Sequence, residues 1–499
     1  MLAAREQVEV ELKFDVDPGI TPPDLRVLPG VVATNAPETF TLDATYFDTE
    51  NLDLASNRIT MRRRRGGHDE GWHLKRPADV PGSRRELQVG FDDAPADGDI
   101  PDELVNPVLV YTRHRPLMPV AAISTVRTIT TLLGTDDVKL AEFADDRVTA
   151  QSLLPGGTSQ QWSEWEFELL EGGTPRLLKA AHKLLGAAGG REPSSASKLA
   201  RAIGSTPVVT PPPALGPHPS ALELVIADIT RHRNSLIAWD PLVREDADDA
   251  VHQMRVTARR LRSVFSGFPT VLDAAHTEHI AGELKLLARI LGEARDSEVQ
   301  LEIDSSLLRD EPASDALVQA LAGRESEAHD RAVAATHAAM GSQRYFRLLD
   351  AIDELIADPP PGPEADIPAT TAVDKAISKS RKHIRKAQRA LAELPEGSHE
   401  WAEQLHTIRK RAKRLRYSTD AAEPLRKKKY KKISKTAKEL QSALGDYNDS
   451  RINRARLAEL AASGELSGMD LFLLGRIDAR EQADAEQAIA AYRRASRDL

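Results

Sequence analysis

The chain has 499 residues, 67 Lys or Arg against 76 Asp or Glu, a formal net charge of −9 and no cysteine. That length exceeds a single core and points to two or three domains, and the lack of cysteine excludes disulfides, thiolate metal sites and a cysteine nucleophile. With no apolar run of about 18 residues and no signal-peptide core at its start, a cytoplasmic protein without a membrane span is expected.

Eight short alternating or β-branched runs follow one another in residues 1–204: EVELKFDV, TYFDT, RITMRRRR, GWHLKR, RRELQVGF, STVRTITTLL, DVKLAEFADDRVTA and WSEWEFELL. Gly, Pro, Asp and Asn separate them, as turns between strands require. In the first, Glu9, Glu11 and Lys13 alternate with Val10, Leu12 and Phe14, so two carboxylates and an ammonium share one face. Arg62 and Arg64 alternate with Arg63 and Arg65, and Arg84, Glu86 and Gln88 share a parity. Lys75 and Arg127 lie in strands of their own, and Glu164, Glu166 and Glu168 alternate in the last run, whose opposite face is read as Trp162, Trp165 and Phe167. A ladder of like charges on an open face would repel. A closed antiparallel barrel with a polar interior accommodates charge at period two on most of its strands. Inside it, Glu9, Glu11, Glu164, Glu166 and Glu168 would gather a hard divalent cation, and the cations would balance phosphate, since neither sign is tolerated alone when buried. A helix is expected over TPRLLKAAHKLLGAAG, and SSASKLARAIG then supplies Lys198 and Arg201.

Residues 205–220 form a linker: PVVTPPPALGPHP, Pro207 to Pro219, holds six prolines and suits a stiff extended connection. From residue 221 to 499 apolar residues recur at three and four residue spacing, the pattern of an all-helical bundle. This half repeats, over about 221–355 and 371–495. VHQMRVTARRLRSVF matches LHTIRKRAKRLRYST, so that His252, Arg255, Arg259 and Arg262 face His406, Arg409, Lys413 and Arg416. Further on, LGEARD ending at Asp296 matches LGDYND ending at Asp449, a shared turn in this reading, and Lys285 falls opposite Lys438. Each quartet lies on one helical stripe. From Lys375 to Lys438 there are 21 Lys or Arg against 6 Asp or Glu. A charge run is ordinarily a solvated face; two matched, histidine-led stripes point instead to a polyanion site, where arginine forks onto phosphate oxygens and lysine adds a point charge.

On these residues the helical half, Ala221 to Arg494, resembles the CHAD domain family, which implies a pseudo-symmetric helical fold whose basic cavity binds inorganic polyphosphate. His252, Arg255, Arg259, Arg262, Lys285, His406, Arg409, Lys413, Arg416 and Lys438 would be the binding residues, with lysine in place of arginine at Lys413. The strand half, Arg5 to Gly204, resembles the CYTH family of triphosphate tunnel metalloenzymes through the E-x-E-x-K of Glu9, Glu11 and Lys13, the R-x-R of Arg62 and Arg64, and the later E-x-E. That resemblance implies an eight-stranded tunnel acting on triphosphates with Mg²⁺ or Mn²⁺. Glu9, Glu11, Glu164, Glu166 and Glu168 would ligate metal, and Arg62, Arg64, Lys75, Arg84, Arg127 and Lys198 would hold phosphates. Lys13, with Glu11, would activate water or polarise the substrate, and Asp145 or Asp146 meets the family's acidic position. Gln88 and Thr125 depart from the family pattern. The expected protein is a two-domain α+β hydrolase that cleaves tripolyphosphate to pyrophosphate and phosphate. Its helical half would bind polyphosphate or attach to polyphosphate granules, with no membrane partner and nucleic acid an unfavoured one. The alternatives are a non-catalytic polyphosphate scaffold, an adenylate cyclase and an organic triphosphatase. No G-x-x-x-x-G-K-[ST] loop is present, which excludes a P-loop enzyme.

Overall fold

A computed structural model describes residues 5–77, 83–95, 98–204, 215–308, 315–425, 428–463, 466–497 and 499. The chain divides into two compact units, Met1–Pro211 and Pro212–Leu499. Residues 205–214 of the expected linker lie outside the described residues.

In the first unit the strands are β1 (Arg5–Val16), β2 (Ala33–Thr34), β3 (Glu38–Asp48), β4 (Thr60–Arg65), β5 (Gly71–Pro77), β6 (Ser83–Val89), β7 (Met118–Leu133), β8 (Lys139–Ser152) and β9 (Ser159–Leu169). Their order is β7-β3-β4-β5-β6-β1-β9-β8, and β8 pairs back onto β7, which closes an eight-stranded antiparallel barrel. Each of the eight expected runs supplies one of these strands. The short β2, which the sequence pattern does not show, pairs with the end of β7 beside β3.

Closure explains the alternating charges, because one side of every strand must face inward. The outward residues are covered on two sides. Phe14, Val16, Trp165 and Phe167 pack against Leu177, Ala181 and Leu185 of helix α1 (Pro175–Ala187). Thr174 caps that helix and Pro175 opens it, where proline costs no hydrogen bond. Met61, Trp72 and Leu74 are covered by Leu104 and Val108 from single helical turns. The outward arginines of the RRRR run find aromatic faces: Arg63 lies 5.7 Å from the Trp72 ring and Arg65 5.8 Å from that of Phe91. One end of the interior is apolar, where Leu199 and Ala202 of the short helix α2 (Lys198–Ala202) join Tyr46, Val120, Val148 and Trp162.

The second unit is all helical. Its helices are α3 (Ala221–Arg244), α4 (Ala250–Gly267), α5 (Ala274–Leu308), α6 (Asp315–Met340), α7 (Gln343–Ala357), α8 (Ala369–Ala392), α9 (His399–Asp420), α10 (Lys428–Ala462) and α11 (Gly468–Arg497). The duplication shows in the lengths: α3 and α8 both span 24 residues, α5 and α10 both 35. The two L-G-x-x-x-D segments do not form turns as expected; they lie inside α5 and α10. At both glycines an arginine from the neighbouring helix lies close: a β-carbon on Gly292 would stand 3.5 Å from the Arg255 guanidinium and one on Gly445 3.4 Å from Arg409, ordinary contact distances.

Candidate functional site

Strand parity delivers most of the expected residues to one cavity of about 110 Å³ inside the barrel. Glu11 and Lys13 come from β1, Arg62 and Arg64 from β4, Lys75 from β5, Arg84 from β6, Arg127 from β7, Glu166 and Glu168 from β9, and Lys198 from α2. Glu9 is in β1 opposite Arg84 of β6, but its side chain lies outside the described residues.

The carboxylates sort themselves by register. Asp146 of β8 stands opposite Arg127 on one side and Glu164 on the other, and Asp146, Glu164 and Glu166 bring three carboxylate oxygens within 4.8 Å of one another. Asp146 is therefore the inward residue of its pair, whereas Asp145 accepts a hydrogen bond from Trp165 on the outer side. The inward reading of Glu164 also corrects the expectation for Trp162. It has the parity of the glutamates, not of Trp165, and its Nε1 donates to Glu164 Oε2 at 2.6 Å.

Cations hold this cluster. Arg127 donates to Asp146 through Nε at 2.8 Å and Nη2 at 2.6 Å, and through Nη2 to Glu166 at 2.5 Å. Lys198 Nζ lies 3.0 Å from Asp146, 2.5 Å from Glu164 and 2.8 Å from Glu166. Lys13 Nζ bridges Glu11 at 3.1 Å and Glu166 at 2.9 Å. Burial alone would strip Lys13 of its proton, but Glu166 and then Glu11 outweigh it and hold its pKa above the ordinary lysine value. Burial likewise opposes charge on Glu166, yet Lys13, Lys198 and Arg127 keep that carboxyl well below its usual range. Glu168 is different: burial, aided by Glu11 and Glu166 against Lys75, pushes it up to about 7.

The opposite wall is basic. Arg64 is pushed down to about 9 by burial and by its neighbours Arg62 and Arg127, the mark of a positive field that an entering anion would relieve. Arg62 donates to the Tyr46 hydroxyl at 3.4 Å. Glu86, whose Oε1 lies 3.8 Å from Arg62 and whose Oε2 lies 3.5 Å from Lys75, is braced from behind by His73 Nδ1 at 2.9 Å. The sequence pattern carried no signal for His73, which is buried among strand residues and held down to about 4 by that burial.

The acidic cluster suits a divalent metal. Its donors are hard oxygens. Three of those oxygens lie within 4.8 Å of one another, and the buried Glu164 Oε1 is neutralised by Lys198 Nζ at 2.5 Å.

In the second unit, Arg255, Arg259, Arg262 and Lys285 line one cavity of about 500 Å³. Arg259, Arg262, Lys285 and Lys413 line an adjoining one of about 600 Å³. Arg255 donates to Asp296 at 2.9 Å, which ties the L-G-x-x-x-D aspartate to the stripe. Burial, then Arg259, Arg409, Arg255 and Arg416, push Lys413 down to about 7. Arg409 and Arg416 thus share its field, and Arg416 Nη1 donates to Gln441 at 3.4 Å. His252, His406, Arg409, Arg416 and Lys438 line neither cavity. His406 is held below its ordinary value by burial and by Lys410 and Arg409.

A closed eight-stranded barrel with an acid-and-base interior and a duplicated helical unit with basic cavities define a two-domain α+β protein. The CYTH domain family matches residues 7–203 and the CHAD domain family residues 227–458; the chain belongs to both, as a CYTH domain fused to a CHAD domain. CYTH proteins are metal-dependent enzymes acting on triphosphates. The uncharacterized Mycobacterium tuberculosis protein Rv2226 is 38% identical, with 96% of this chain and 94% of the relative covered. Among solved structures, PptA from Streptomyces chartreusis matches 56% of this chain and 99% of its own at 19% identity and a TM-score of 0.46. The CHAD domain from Ricinus communis matches 57% and 95% at 23% identity and a TM-score of 0.43. Among the described residues no helix is long and apolar enough to cross a membrane.

Proposed function

We propose that this chain is a metal-dependent inorganic triphosphatase whose helical unit binds polyphosphate. The observation that carries the reading is the sorting of the barrel interior, with Glu166 on the cavity lining backed by the buried Asp146 and Glu164, and with Arg62, Arg64, Lys75 and Arg84 also on that lining. A linear phosphate chain needs both. Among the described residues Tyr46 is the single aromatic residue of the cavity lining, and its hydroxyl accepts from Arg62; this lining of charges favours an inorganic chain over ATP.

Asp146, Glu164, Glu166 and, from β1, Glu11 and Glu9 would hold Mg²⁺ or Mn²⁺, which neutralises phosphate charge and lowers the pKa of bound water. Arg62, Arg64, Lys75 and Arg84 bind and align the phosphate oxygens, placing a terminal phosphorus toward the carboxylates. Lys13, kept an ammonium by Glu11 and Glu166, polarises the reacting phosphoryl oxygen and does not serve as the base. Arg127 and Lys198, already engaged by carboxylates, fix the acidic cluster and neutralise charge between it and the chain. Water attacks the terminal phosphorus, its P–O–P bridge breaks, and orthophosphate and pyrophosphate leave.

A panel of tripolyphosphate, longer polyphosphate, ATP and thiamine triphosphate, with and without metal, tests the assignment. Metal-dependent turnover fastest on tripolyphosphate is expected; cyclic AMP from ATP as the main product would replace this reading with a cyclase, and no turnover at all would leave a binding scaffold. The helical unit makes its own prediction. Phosphate binding raises the Lys413 pKa from about 7, so binding takes up a proton and affinity falls as pH rises above that value. Polyphosphate titrations between pH 6 and 9 should show this fall, and Lys413→Arg, which restores the residue of the other repeat and stays charged throughout, should flatten it. An unchanged slope in the variant would remove Lys413 from the binding site.

A further inference from the structure

The helical unit has a third basic hollow, to which the matched repeat stretches contribute Arg414 but none of the α8 cations. The end of α4 and the segment 268–271 after it, together with α8 and α9, enclose about 300 Å³. Lys375, Lys379 and His383 line it from α8 at i, i+4 and i+8, a single exposed stripe of that helix, and Arg414 enters from α9. Ser380 adds a hydroxyl. The one carboxylate of the lining, Glu364, is already satisfied by Lys375 Nζ and Thr270 Oγ1, each at 2.7 Å. Lys379 and Arg414 have no acidic partner among the described residues. Slight burial, then the field of Arg411, Lys379 and Arg414, hold His383 below its ordinary value.

The hollow adjoins the main cavity. Arg414, Ser266 and Pro269 line both it and the cavity of Arg259 and Lys413. The duplication does not repeat it. On α3, the first-repeat helix of the same length, Arg231 is engaged by Asp228 and by Glu423.

We propose that Lys375, Lys379, His383 and Arg414 form a second phosphate-chain subsite, which receives the part of a long polyphosphate that overruns the main cavity. Lys379 and Arg414, with no acidic partner among the described residues, suit phosphate oxygens, and a site beside the main cavity meets the part of a chain too long for that cavity. The inference rests on the polyphosphate reading of that cavity.

The test uses the full chain and three proteins: wild type, Lys379→Glu and Arg259→Glu. Long-chain polyphosphate and octaphosphate are titrated at several salt concentrations. Lys379 is exposed, so its substitution leaves the core untouched. For Lys379→Glu we expect long-chain affinity to fall about tenfold with a shallower salt dependence, by analogy with a lost phosphate contact on other polyanions, and octaphosphate affinity to hold within about twofold on the same grounds. Arg259→Glu should weaken both. Retained long-chain affinity in Lys379→Glu, or equal loss for both chain lengths, overturns the subsite while a loss in Arg259→Glu leaves the main cavity standing. Failure of the wild type to bind either chain, or full retention in Arg259→Glu, overturns the cavity reading and the subsite with it.

Discussion

Replacing Glu166 by Gln is expected to lower metal-dependent tripolyphosphate hydrolysis by at least about 100-fold. No other carboxylate has so many roles in the barrel. It completes the oxygen cluster with Asp146 and Glu164, and it accepts from Lys13 at 2.9 Å, Lys198 at 2.8 Å and Arg127 at 2.5 Å. An amide keeps the shape and loses the charge. The metal would then be held by fewer anions, and three buried cations would face one another with less compensation. Breaking a buried ion pair by removing one partner costs about 3–5 kcal/mol, so the variant should also melt earlier in the absence of metal and substrate. Because Lys13 and Lys198 lose a partner, their charged forms should be easier to deprotonate. Steady-state turnover with metal titration, alongside a thermal melt, separates the two effects. A variant that melts like the wild type and turns over within about tenfold of it would show that Glu166 lies outside the reaction, since metal-shell substitutions cost at least that much.

The second large effect is expected in the helical unit. Arg255→Glu combined with Arg259→Glu should weaken long-chain polyphosphate binding by at least about 100-fold, taking roughly 1.5–3 kcal/mol for each charge-assisted contact. Both residues line the cavity of about 500 Å³, and Arg259 also lines the adjoining main cavity; Arg259 lies in the field of Lys413 and Arg409, so reversing it disturbs the stripes of both repeats. Tripolyphosphate turnover, which the barrel residues carry, should stay within about twofold because neither arginine belongs to that machinery. Binding followed by fluorescence anisotropy at low salt, with turnover measured on the same preparation, tests both halves of the statement. Unchanged binding would assign the polyanion site elsewhere.

Much of the barrel was legible because inward and outward residues differ in charge, and alternation carries that difference directly into the sequence. The RRRR run shows how far this goes: parity alone separates Arg62 and Arg64, which line the cavity, from Arg63 and Arg65, which lie over aromatic rings. Parity also places Trp162 with the glutamates, and reading it by hydrophobicity instead put it on the wrong face. Its indole is amphipathic, apolar against Leu199 and a donor to Glu164. The choice between Asp145 and Asp146 needed register, because adjacent aspartates leave parity undetermined until the strand is aligned with Arg127 and Glu164. His73 could not be found from pattern, since a buried neutral imidazole that braces Glu86 looks like any core position. In the helical half the repeat revealed the basic stripes and the two glycines, but not that each glycine lies against an arginine from a different helix, which is a tertiary contact.

The central claim is that the barrel hydrolyses a linear triphosphate with the help of a divalent cation held by its acidic wall. Phosphorus NMR of tripolyphosphate incubated with the full chain and Mg²⁺ or Mn²⁺ tests it most directly. The account predicts orthophosphate and pyrophosphate appearing in equal amounts, only with metal, and not with Glu166→Gln. Tripolyphosphate that persists unchanged with either metal, or cleavage that proceeds equally in the variant, would contradict it.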